Sequence, residues 1–377
     1  MAGLYIHIPF CASRCIYCDF FSTVNKKMQE RYVNALCREY TMRRHEILPQ
    51  GASWDTIYIG GGTPSTLSIE HLRQLFTAFA NDISPMTKEV TIECNPDDIT
   101  EEYAKALAQL SINRVSMGAQ TFDDSRLRFL HRRHNSIQIT QAVENLKCAG
   151  FSNISIDLMY GFPDETVDDF HSDINKALLL DVPHISAYCL MYEEGTALYR
   201  MLEQNKIAEI PEETEREMYD TLINSLCTAG YEHYEISNFA RDGYRSQHNS
   251  SYWNLTPYLG IGAAAHSFDG RATRSSNPPH LIIYIETLER GELPAVREHL
   301  SPAESYNDYT MLRLRTAEGI DLDEMEVRFG HEMRTKTEHT ARQFLSSGLL
   351  THDGNRLRLT RQGVFVSNMV MTEFIIV

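Results

Sequence analysis

The sequence predicts an α/β fold: an open, partial (β/α)6 barrel followed by a smaller α+β unit. Short runs rich in apolar, β-branched and aromatic residues alternate with amphipathic stretches, at spacings of roughly 25–50 residues. This alternation favours parallel strands joined by right-handed helical crossovers. The regular units end near residue 200, so we expect an open barrel of six units rather than a complete barrel of about eight.

The predicted strands are short apolar runs, each followed by a turn or loop signal. They are Gly3–Ile8, Thr56–Ile59, Glu89–Cys94, Arg114–Met117, Ile154–Met159 and His184–Leu190, with Glu232–Ile236 as a further candidate. Between strands, Lys27–Ile47 and Ile69–Ala80 are predicted helices. Ser68 and Thr100 precede helical stretches whose first turns carry acidic residues, as expected of helix N-caps.

The composition changes near residue 240, and we place a domain boundary there: residues 1–240 form the barrel and residues 241–377 a C-terminal domain. Its predicted elements are the helices Tyr306–Arg315, Leu322–Ser346 and Gln362–Phe374 and the hairpin strands Leu349–His352 and Leu357–Thr360. Helices followed by a hairpin are typical of a winged-helix unit. Because Ala303–Val377 carries 9 basic and 11 acidic residues, a lid or docking role is favoured over DNA binding.

Composition and charge predict a soluble protein. Hydrophobic residues make up 42% of the 377 residues and charged residues 23%, and no apolar run approaches the ~20 residues of a membrane helix. The first strand begins at Gly3, which leaves no room for a signal peptide, so we expect the cytoplasm. A net charge of −16 repels polyphosphates, so we expect no nucleic-acid partner.

Three cysteines follow the first predicted strand: Cys11, Cys15 and Cys18, in the spacing C-x3-C-x2-C. Three thiolates in one loop suit a [4Fe–4S] cluster and leave one of its irons able to take an external ligand. A zinc site is the alternative, but zinc normally takes four ligands, with cysteines in C-x2–4-C pairs. The other five cysteines are scattered along the chain and are expected to be core thiols.

Unusual residues also mark the ends of the later strands. The run Gly60–Pro64 would let a ligand approach the backbone closely, or is simply a tight turn. Glu93 and Asp157 near strand ends are either ion-paired scaffolding or ligands for hydroxyl and amine groups, and Gln120 ends another strand. Arg132 offers a planar fork for a carboxylate, or lies at an exposed helix end. Because functional groups of barrels gather at the carboxyl ends of strands, we expect these side chains together.

The cysteine spacing resembles that of radical S-adenosylmethionine (SAM) enzymes. Five motifs are similar, in order and spacing, to the oxygen-independent coproporphyrinogen III dehydrogenase family: His7–Cys11, Gly60–Pro64, Ile92–Pro96, Ser116–Phe122 and Asp157–Pro163. The resemblance implies a [4Fe–4S] cluster whose open iron is chelated by SAM, and one-electron cleavage of SAM to a 5′-deoxyadenosyl radical. The residues that it implies for SAM binding are Tyr5, Tyr17, Gly60, Gly61, Gly62, Thr63, Glu93, Gln120, Arg132 and Asp157.

The sequence departs from the dehydrogenases in two places and resembles another branch in its second half. Phe20 stands where the dehydrogenases carry a fourth cysteine, and their N-terminal extension has no counterpart before Gly3. The motifs Tyr234–Ala240, His248–Trp253 and Tyr258–Ser267 resemble HemW, the haem-chaperone branch. That resemblance implies His248 as a haem-binding residue, with aromatic neighbours able to stack on a porphyrin; packing of the barrel is the alternative.

Taken with its motifs, the chain resembles a haem chaperone that carries a [4Fe–4S] cluster, SAM and haem and passes haem to an acceptor protein. With no predicted membrane helix, any membrane contact is expected to be peripheral, through that acceptor. The alternatives are a coproporphyrinogen III dehydrogenase and a radical SAM enzyme acting on RNA; the net charge of −16 disfavours the second. The residues leave open whether SAM is cleaved in the working cycle, and so whether the protein is an enzyme.

Overall fold

Twelve strands form one large sheet in the structure, a computed structural model that describes residues 1–376. They are β1 (Gly3–Ile8), β2 (Thr56–Gly61), β3 (Glu89–Cys94), β4 (Arg114–Gln120), β5 (Asn153–Tyr160), β6 (His184–Cys189), β7 (Glu232–Glu235), β8 (Asn238–Ala240), β9 (Tyr258–Ile261), β10 (His266–Phe268), β11 (Thr273–Ser276) and β12 (Val296–His299). A separate small sheet contains β13 (Ile320–Asp321), β14 (Leu350–Asp353) and β15 (Arg356–Leu359). The strands β1 to β6 are parallel neighbours in sequence order, which confirms the predicted six-unit barrel.

Fifteen α-helices lie within the described residues. They are α1 (Gln29–Arg43), α2 (Ile69–Ala78), α3 (Glu101–Ala108), α4 (Asp124–Phe129), α5 (Ser136–Cys148), α6 (Val167–Leu179), α7 (Ala197–Glu203), α8 (Glu212–Thr228), α9 (Gln247–Trp253), α10 (Leu281–Glu289), α11 (Pro302–Leu314), α12 (Leu322–Phe329), α13 (His331–Ser346), α14 (Arg361–Phe365) and α15 (Ser367–Glu373). Ser68 and Thr100 cap α2 and α3 as predicted. Over residues 1–376, no helix combines the length and apolar character needed to cross a bilayer.

The predicted helix Leu322–Ser346 is in fact two helices. Gly330 separates α12 from α13 and has a φ of +87°, a backbone conformation that favours glycine. Its position was visible in the sequence, but helical periodicity on both sides concealed the break. Buried side chains of these two helices pack with those of α11, α15 and the β14–β15 hairpin in the core of the C-terminal unit.

A seventh parallel strand comes from the second half of the chain. β9 pairs with β1 in parallel, with Gly3 opposite Tyr258, and β10 to β12 continue the sheet antiparallel. At the other side, β8 and then β7 follow β6, also antiparallel. The candidate strand Glu232–Ile236 is therefore an edge strand rather than another β/α unit. Since β12 and β7 are the two edges of the sheet, the barrel is open, as expected.

A buried ion pair on α1 fastens the β9–β11 segment to the barrel. Glu39 and Arg43 are both almost completely buried, and Arg43 Nη1 lies 2.7 Å from Glu39 Oε1. Arg43 also donates to the Ser275 hydroxyl at 2.8 Å, and Glu39 accepts from the backbone N–H of Gly262 at 2.8 Å and from the Tyr284 hydroxyl. These bonds offset the cost of removing both charges from water.

The apolar side chains form two main cores that divide near residue 300. The larger core extends from Leu4 to Leu288, and the second from Tyr306 to Phe374. The boundary at residue 240 stays a prediction. Hydrogen bonding and packing group residues 258–299 with the large sheet, so we propose that the C-terminal domain begins near residue 300.

Candidate cofactor site

A cavity of about 660 Å³ is lined by residues that follow or end the parallel strands. Its volume is within the range of small-molecule pockets in proteins. Twelve predicted site residues line it: Tyr5, Cys11, Cys15, Tyr17, Cys18, Gly61, Gly62, Thr63, Glu93, Gln120, Arg132 and Asp157. The expectation that these side chains gather at one edge of the sheet is met, because parallel strands bring their carboxyl ends to the same edge.

The cysteine loop is held by backbone bonds and by an apolar anchor. The N–H of Cys11 donates to the Thr23 carbonyl at 2.9 Å, and the N–H of Thr23 donates to the Pro9 carbonyl at 2.7 Å. Ile16, between the second and third cysteines, is buried in a small apolar cluster. The other buried members of this cluster are Leu130, Met159, Phe162, Leu190 and Leu198. The loop is therefore ordered by packing that does not involve the thiols.

The three thiols of the loop all line the cavity. In a [4Fe–4S] cluster held by three cysteines, each thiolate binds a different iron. Burial raises the pKa of the Cys18 thiol to about 11 and also raises the pKa of Cys11, so cluster binding has to displace protons.

Some of the remaining five cysteines are not the buried core thiols that the sequence predicted. Cys94 is a buried core thiol as predicted, and Cys37 and Cys189 are half-buried. Cys148 and Cys227 are exposed, because they lie on the outer faces of α5 and α8 near the ends of those helices. For these two the expectation of core thiols was wrong.

The glycine run is packed so closely that side chains do not fit. Gly61 has a φ of +114°, and a Cβ at Gly62 would lie 3.0 Å from Cys11 Sγ. The backbone N–H groups of Gly61–Thr63 all donate within the protein, at 2.8–3.0 Å, one of them to Glu93 Oε2. What this run can offer a ligand is therefore carbonyl oxygen, which accepts hydrogen bonds from an ammonium group.

Two carboxylates line the cavity from β3 and β5, the strands on either side of β4. Glu93 Oε1 accepts from the Tyr58 hydroxyl at 2.7 Å, and burial raises the pKa of Glu93 to about 7. Asp157 lies near the hydroxyls of Ser186 and Ser116, and burial raises its pKa to about 6. Groups held at this depth can accept hydrogen bonds from the hydroxyls of a ligand, which compensate for the lost water.

The Arg132 side chain lines the same cavity, and only some of its N–H groups have hydrogen-bond partners. One Nη2 hydrogen bond goes to the Gly118 carbonyl at 2.8 Å and another to the Asn95 side chain, while Nη1 lies 3.5 Å from Cys15 Sγ. The Nε of Arg132 is buried and has no hydrogen-bond partner among residues 1–376. An unpartnered donor on a cavity wall fits a ligand carboxylate, which an arginine fork binds in a planar arrangement.

Gln120 has a backbone conformation that is rare for its residue type. Its φ is +66°, and the pairing of β4 with β5 shifts register between Gly118 and Gln120. The bulge ends β4 where the strand meets the cavity. Strained backbone of this kind occurs preferentially at ligand sites, so its location agrees with the predicted role.

His248 and Gly60 are the predicted residues that do not line the cavity. The His248 side chain is fully buried on α9, with Nδ1 2.9 Å from Thr56 Oγ1 and Nε2 2.8 Å from the Tyr252 hydroxyl. Thr56 begins β2, so His248 lies at the amino ends of the strands, opposite the cavity. Both ring nitrogens of His248 have hydrogen-bond partners within the protein, and its haem role stays a prediction. Gly60 is packed against Tyr58 and Glu93.

Sequence reasoning missed several residues of the site. Asn95 and Ser116 lie within motifs already noted, so their positions were available as a signal. Tyr188 and Met191 line the cavity from the end of β6 and the loop after it, where the apolar pattern predicted only a strand. Outside the cavity lining, Arg114 is almost fully buried at the start of β4, 4.0 Å from Glu89, and nothing in its surrounding sequence indicated burial.

Comparison with known proteins identifies the family. A family profile described as the radical SAM superfamily matches residues 5–177, and one described as the HemN C-terminal domain matches residues 300–366. The "Heme chaperone HemW" of Lactococcus lactis subsp. lactis (strain IL1403) is 34% identical over 99% of this chain and 97% of that protein. That of Bacillus subtilis (strain 168) is 34% identical over 100% of this chain and 99% of that protein. The chain belongs to the HemW family.

The HemW family is a branch of the radical SAM superfamily, and membership implies a [4Fe–4S] cluster and SAM. Among solved structures, the "Coproporphyrinogen III oxidase (HemN) from Escherichia coli" is similar, with a TM-score of 0.84 and 20% identity. The similarity covers 99% of this chain and 89% of that one. At this level of identity the likeness establishes the fold, a radical SAM barrel with a C-terminal domain.

Proposed function

We propose that this HemW-family protein is a haem chaperone. It holds a [4Fe–4S] cluster on Cys11, Cys15 and Cys18, binds SAM and haem, and passes haem to an acceptor protein. The observation that carries the proposal is the full-length similarity to proteins named heme chaperones, from which no large segment of this chain departs. Because cluster thiolates are preserved in a reducing compartment, the proposed location is the cytoplasm.

The residues of the cavity divide the recognition of SAM between them. Arg132 binds the carboxylate through its unpartnered Nε, and the carbonyl oxygens of Gly61–Thr63 accept from the ammonium. Glu93, Gln120 and Asp157 take the remaining polar groups of the ligand, with Tyr5 and Tyr17 closing the walls. A SAM-bound cluster supplies one-electron chemistry when present; the protein's own residues orient the ligand and exclude water.

Radical decarboxylation of coproporphyrinogen III is the second candidate, favoured by the shared fold with the HemN protein. Against it stands Phe20, which is 65% exposed at the cavity where the dehydrogenases carry a fourth cysteine. A benzyl side chain has no thiol and cannot take over the chemistry of that fourth cysteine.

The experiment that separates the two functions uses the full chain reconstituted anaerobically with iron, sulfide and SAM. We expect a stable Soret band on addition of haem, transfer of that haem to haem-depleted membranes, and no release of carbon dioxide from coproporphyrinogen III. Robust SAM-dependent formation of protoporphyrinogen IX would overturn the proposal. A wild-type protein that binds no haem would overturn it as well.

A further inference from the structure

A buried tyrosine behind the cavity wall holds one of the carboxylates of the site. Tyr58 lies on β2, is buried, and does not line the cavity. Its hydroxyl donates to Glu93 Oε1 at 2.7 Å, and the backbone N–H of Gly61 donates to Oε2 at 3.0 Å. Each oxygen of Glu93 thus has one donor from β2, and a carboxylate has further lone pairs that can accept from a ligand.

Aromatic contacts fix the ring of this tyrosine inside the barrel. The Tyr58 ring stacks on that of His248, with centroids 5.1 Å apart and an interplanar angle of 26°. The Tyr5 ring lies 6.3 Å away at 29°. Both ring nitrogens of His248 are hydrogen-bonded, so the stack has a fixed base. The Tyr58 hydroxyl therefore meets Glu93 from a rigid support.

Gly60 leaves the space that this contact needs. A Cβ at Gly60 would lie 2.7 Å from Tyr58 Cε1 and 2.9 Å from Glu93 Oε1, which are atoms of the donor and the acceptor side chains. Gly60 does not line the cavity. The contact between Tyr58 and Glu93 thus gives a reason for a glycine at this position that involves no ligand.

We propose that Tyr58 is a positioning residue for SAM, whose hydroxyl holds the Glu93 carboxylate in the orientation that accepts hydrogen bonds from the ligand. This role rests on the proposed function and on the SAM placement given with it. It adds to the site a residue that acts on SAM only through Glu93.

The same hydroxyl favours the ionised form of Glu93. Titratable and charged groups face this carboxyl from five other elements: Tyr5 on β1, Tyr58 on β2, Arg114 on β4, Asp157 on β5 and Tyr252 on α9. Burial raises the pKa of Glu93 to about 7, and the hydrogen bond from Tyr58 acts in the opposite direction. Without that hydroxyl the pKa of Glu93 should rise further, and less of the carboxylate should be ionised at neutral pH.

The test is calorimetric titration of SAM into reconstituted Tyr58→Phe, compared with the wild type at the same pH. We expect binding roughly tenfold weaker near pH 6.5 and a smaller loss near pH 8.5, where Glu93 ionises in both proteins. Cluster absorbance should be retained. The matched control is Tyr231→Phe, which removes a buried hydroxyl that donates to the Val182 carbonyl away from the cavity. It should bind SAM like the wild type.

A double-mutant cycle separates positioning from a general structural effect. In a Glu93→Ala background, Tyr58→Phe should not weaken SAM binding further, because the hydroxyl has lost its acceptor. Equal losses with and without Glu93, a loss that is as large near pH 8.5, or an unchanged affinity of Tyr58→Phe would overturn the positioning role. Unchanged affinity in Glu93→Ala would overturn it by removing Glu93 from the SAM site, with the chaperone function intact. Failure of the wild type to bind haem would instead remove the proposed function.

Discussion

At the scale of single residues, burial in the cavity disfavours the charged form of the carboxylic acids. Burial raises the pKa of both Glu93 and Asp157, while the positive charges of Arg114 and Arg132 act in the opposite direction on Asp157. Arg132 in turn is surrounded by the Asn95 amide, a backbone carbonyl and a thiol. A ligand with hydroxyl, ammonium and carboxylate groups can provide hydrogen bonds to these buried polar groups.

Asp157 provides a pH-dependent test of this balance. Its pKa of about 6 in the folded protein exceeds the ordinary value of about 3.9, so its ionisation destabilises the fold increasingly between about pH 4 and 6 and by a constant amount above. Asp157→Asn should therefore raise the melting temperature of the ligand-free protein at pH 8, on the order of 2 °C, but not at pH 4. Differential scanning calorimetry over this pH range measures the effect.

The same substitution should weaken SAM binding roughly tenfold, because an amide replaces an ionised acceptor of a hydrogen bond. Isothermal titration of the reconstituted protein measures this affinity. The control is Asp242→Asn, at an exposed loop position, which should change neither quantity. A lower melting temperature for Asp157→Asn at pH 8 would contradict the assigned role of burial.

The cysteine loop gives a second residue-scale prediction. Replacing Cys11, Cys15 and Cys18 together by serine should abolish the iron–sulfur absorbance, roughly near 400 nm, because serine hydroxyls do not ligate the cluster. The exposed pair Cys148→Ser/Cys227→Ser is the matched control and should retain the full absorbance. Iron and sulfide that persist in the triple variant would show that the cluster is bound elsewhere.

At the scale of elements, pattern predicted β1 to β6 and failed for β9. The first six strands are short runs rich in apolar and β-branched residues between turn signals, a pattern that local sequence carries. β9 is only four residues long, contains Gly260, and owes its place to β1 and to the Glu39–Arg43 pair on α1. Contacts with residues so distant along the chain produce no periodic pattern in the local sequence. This strand and the burial of Arg114 could therefore not be predicted.

The ion pair on α1 allows a matched comparison on one helix. Arg43→Ala leaves the Glu39 carboxylate buried without its cation and should lower the free energy of unfolding by about 3–5 kcal/mol. Arg31→Ala removes an exposed pair with Glu289, 2.6 Å apart, and should cost about 1 kcal/mol or less. Urea denaturation monitored by circular dichroism gives both values. Equal losses for the two variants would refute the importance of the buried pair.

At the scale of the whole molecule, ion pairs, hydrogen bonds and ring contacts join the two cores. Arg361 on α14 donates from Nε to Asp220 on α8 at 2.6 Å, and the Phe365 ring lies 5.4 Å from that of Tyr219. The backbone N–H of Ile236 also donates to the Arg315 carbonyl at 3.1 Å. The motifs predicted each unit separately. The contacts between the units could not be predicted, because the side chains that make them follow no recognisable sequence pattern.

Removing contacts between the two units should increase amide hydrogen exchange in the C-terminal unit alone. Arg361→Ala/Phe365→Ala removes the contacts to α8 and should accelerate amide hydrogen exchange in residues 302–373 by roughly fivefold, leaving β1 to β6 unchanged. Arg342→Ala, an exposed position within the same unit, is the control and should exchange like the wild type. Equal acceleration in both units would mean that they unfold together.

The tight packing of the glycine run also affects how genetic data should be interpreted. A Cβ at Gly60 would lie 2.7 Å from the Tyr58 ring, and one at Gly61 would lie 2.6 Å from His7, whatever ligand is bound. Random mutagenesis would therefore recover inactive alleles at these codons even if no ligand ever touched them. Such alleles would report on chain folding, whereas changes at Asp157 or Arg132 would bear on recognition.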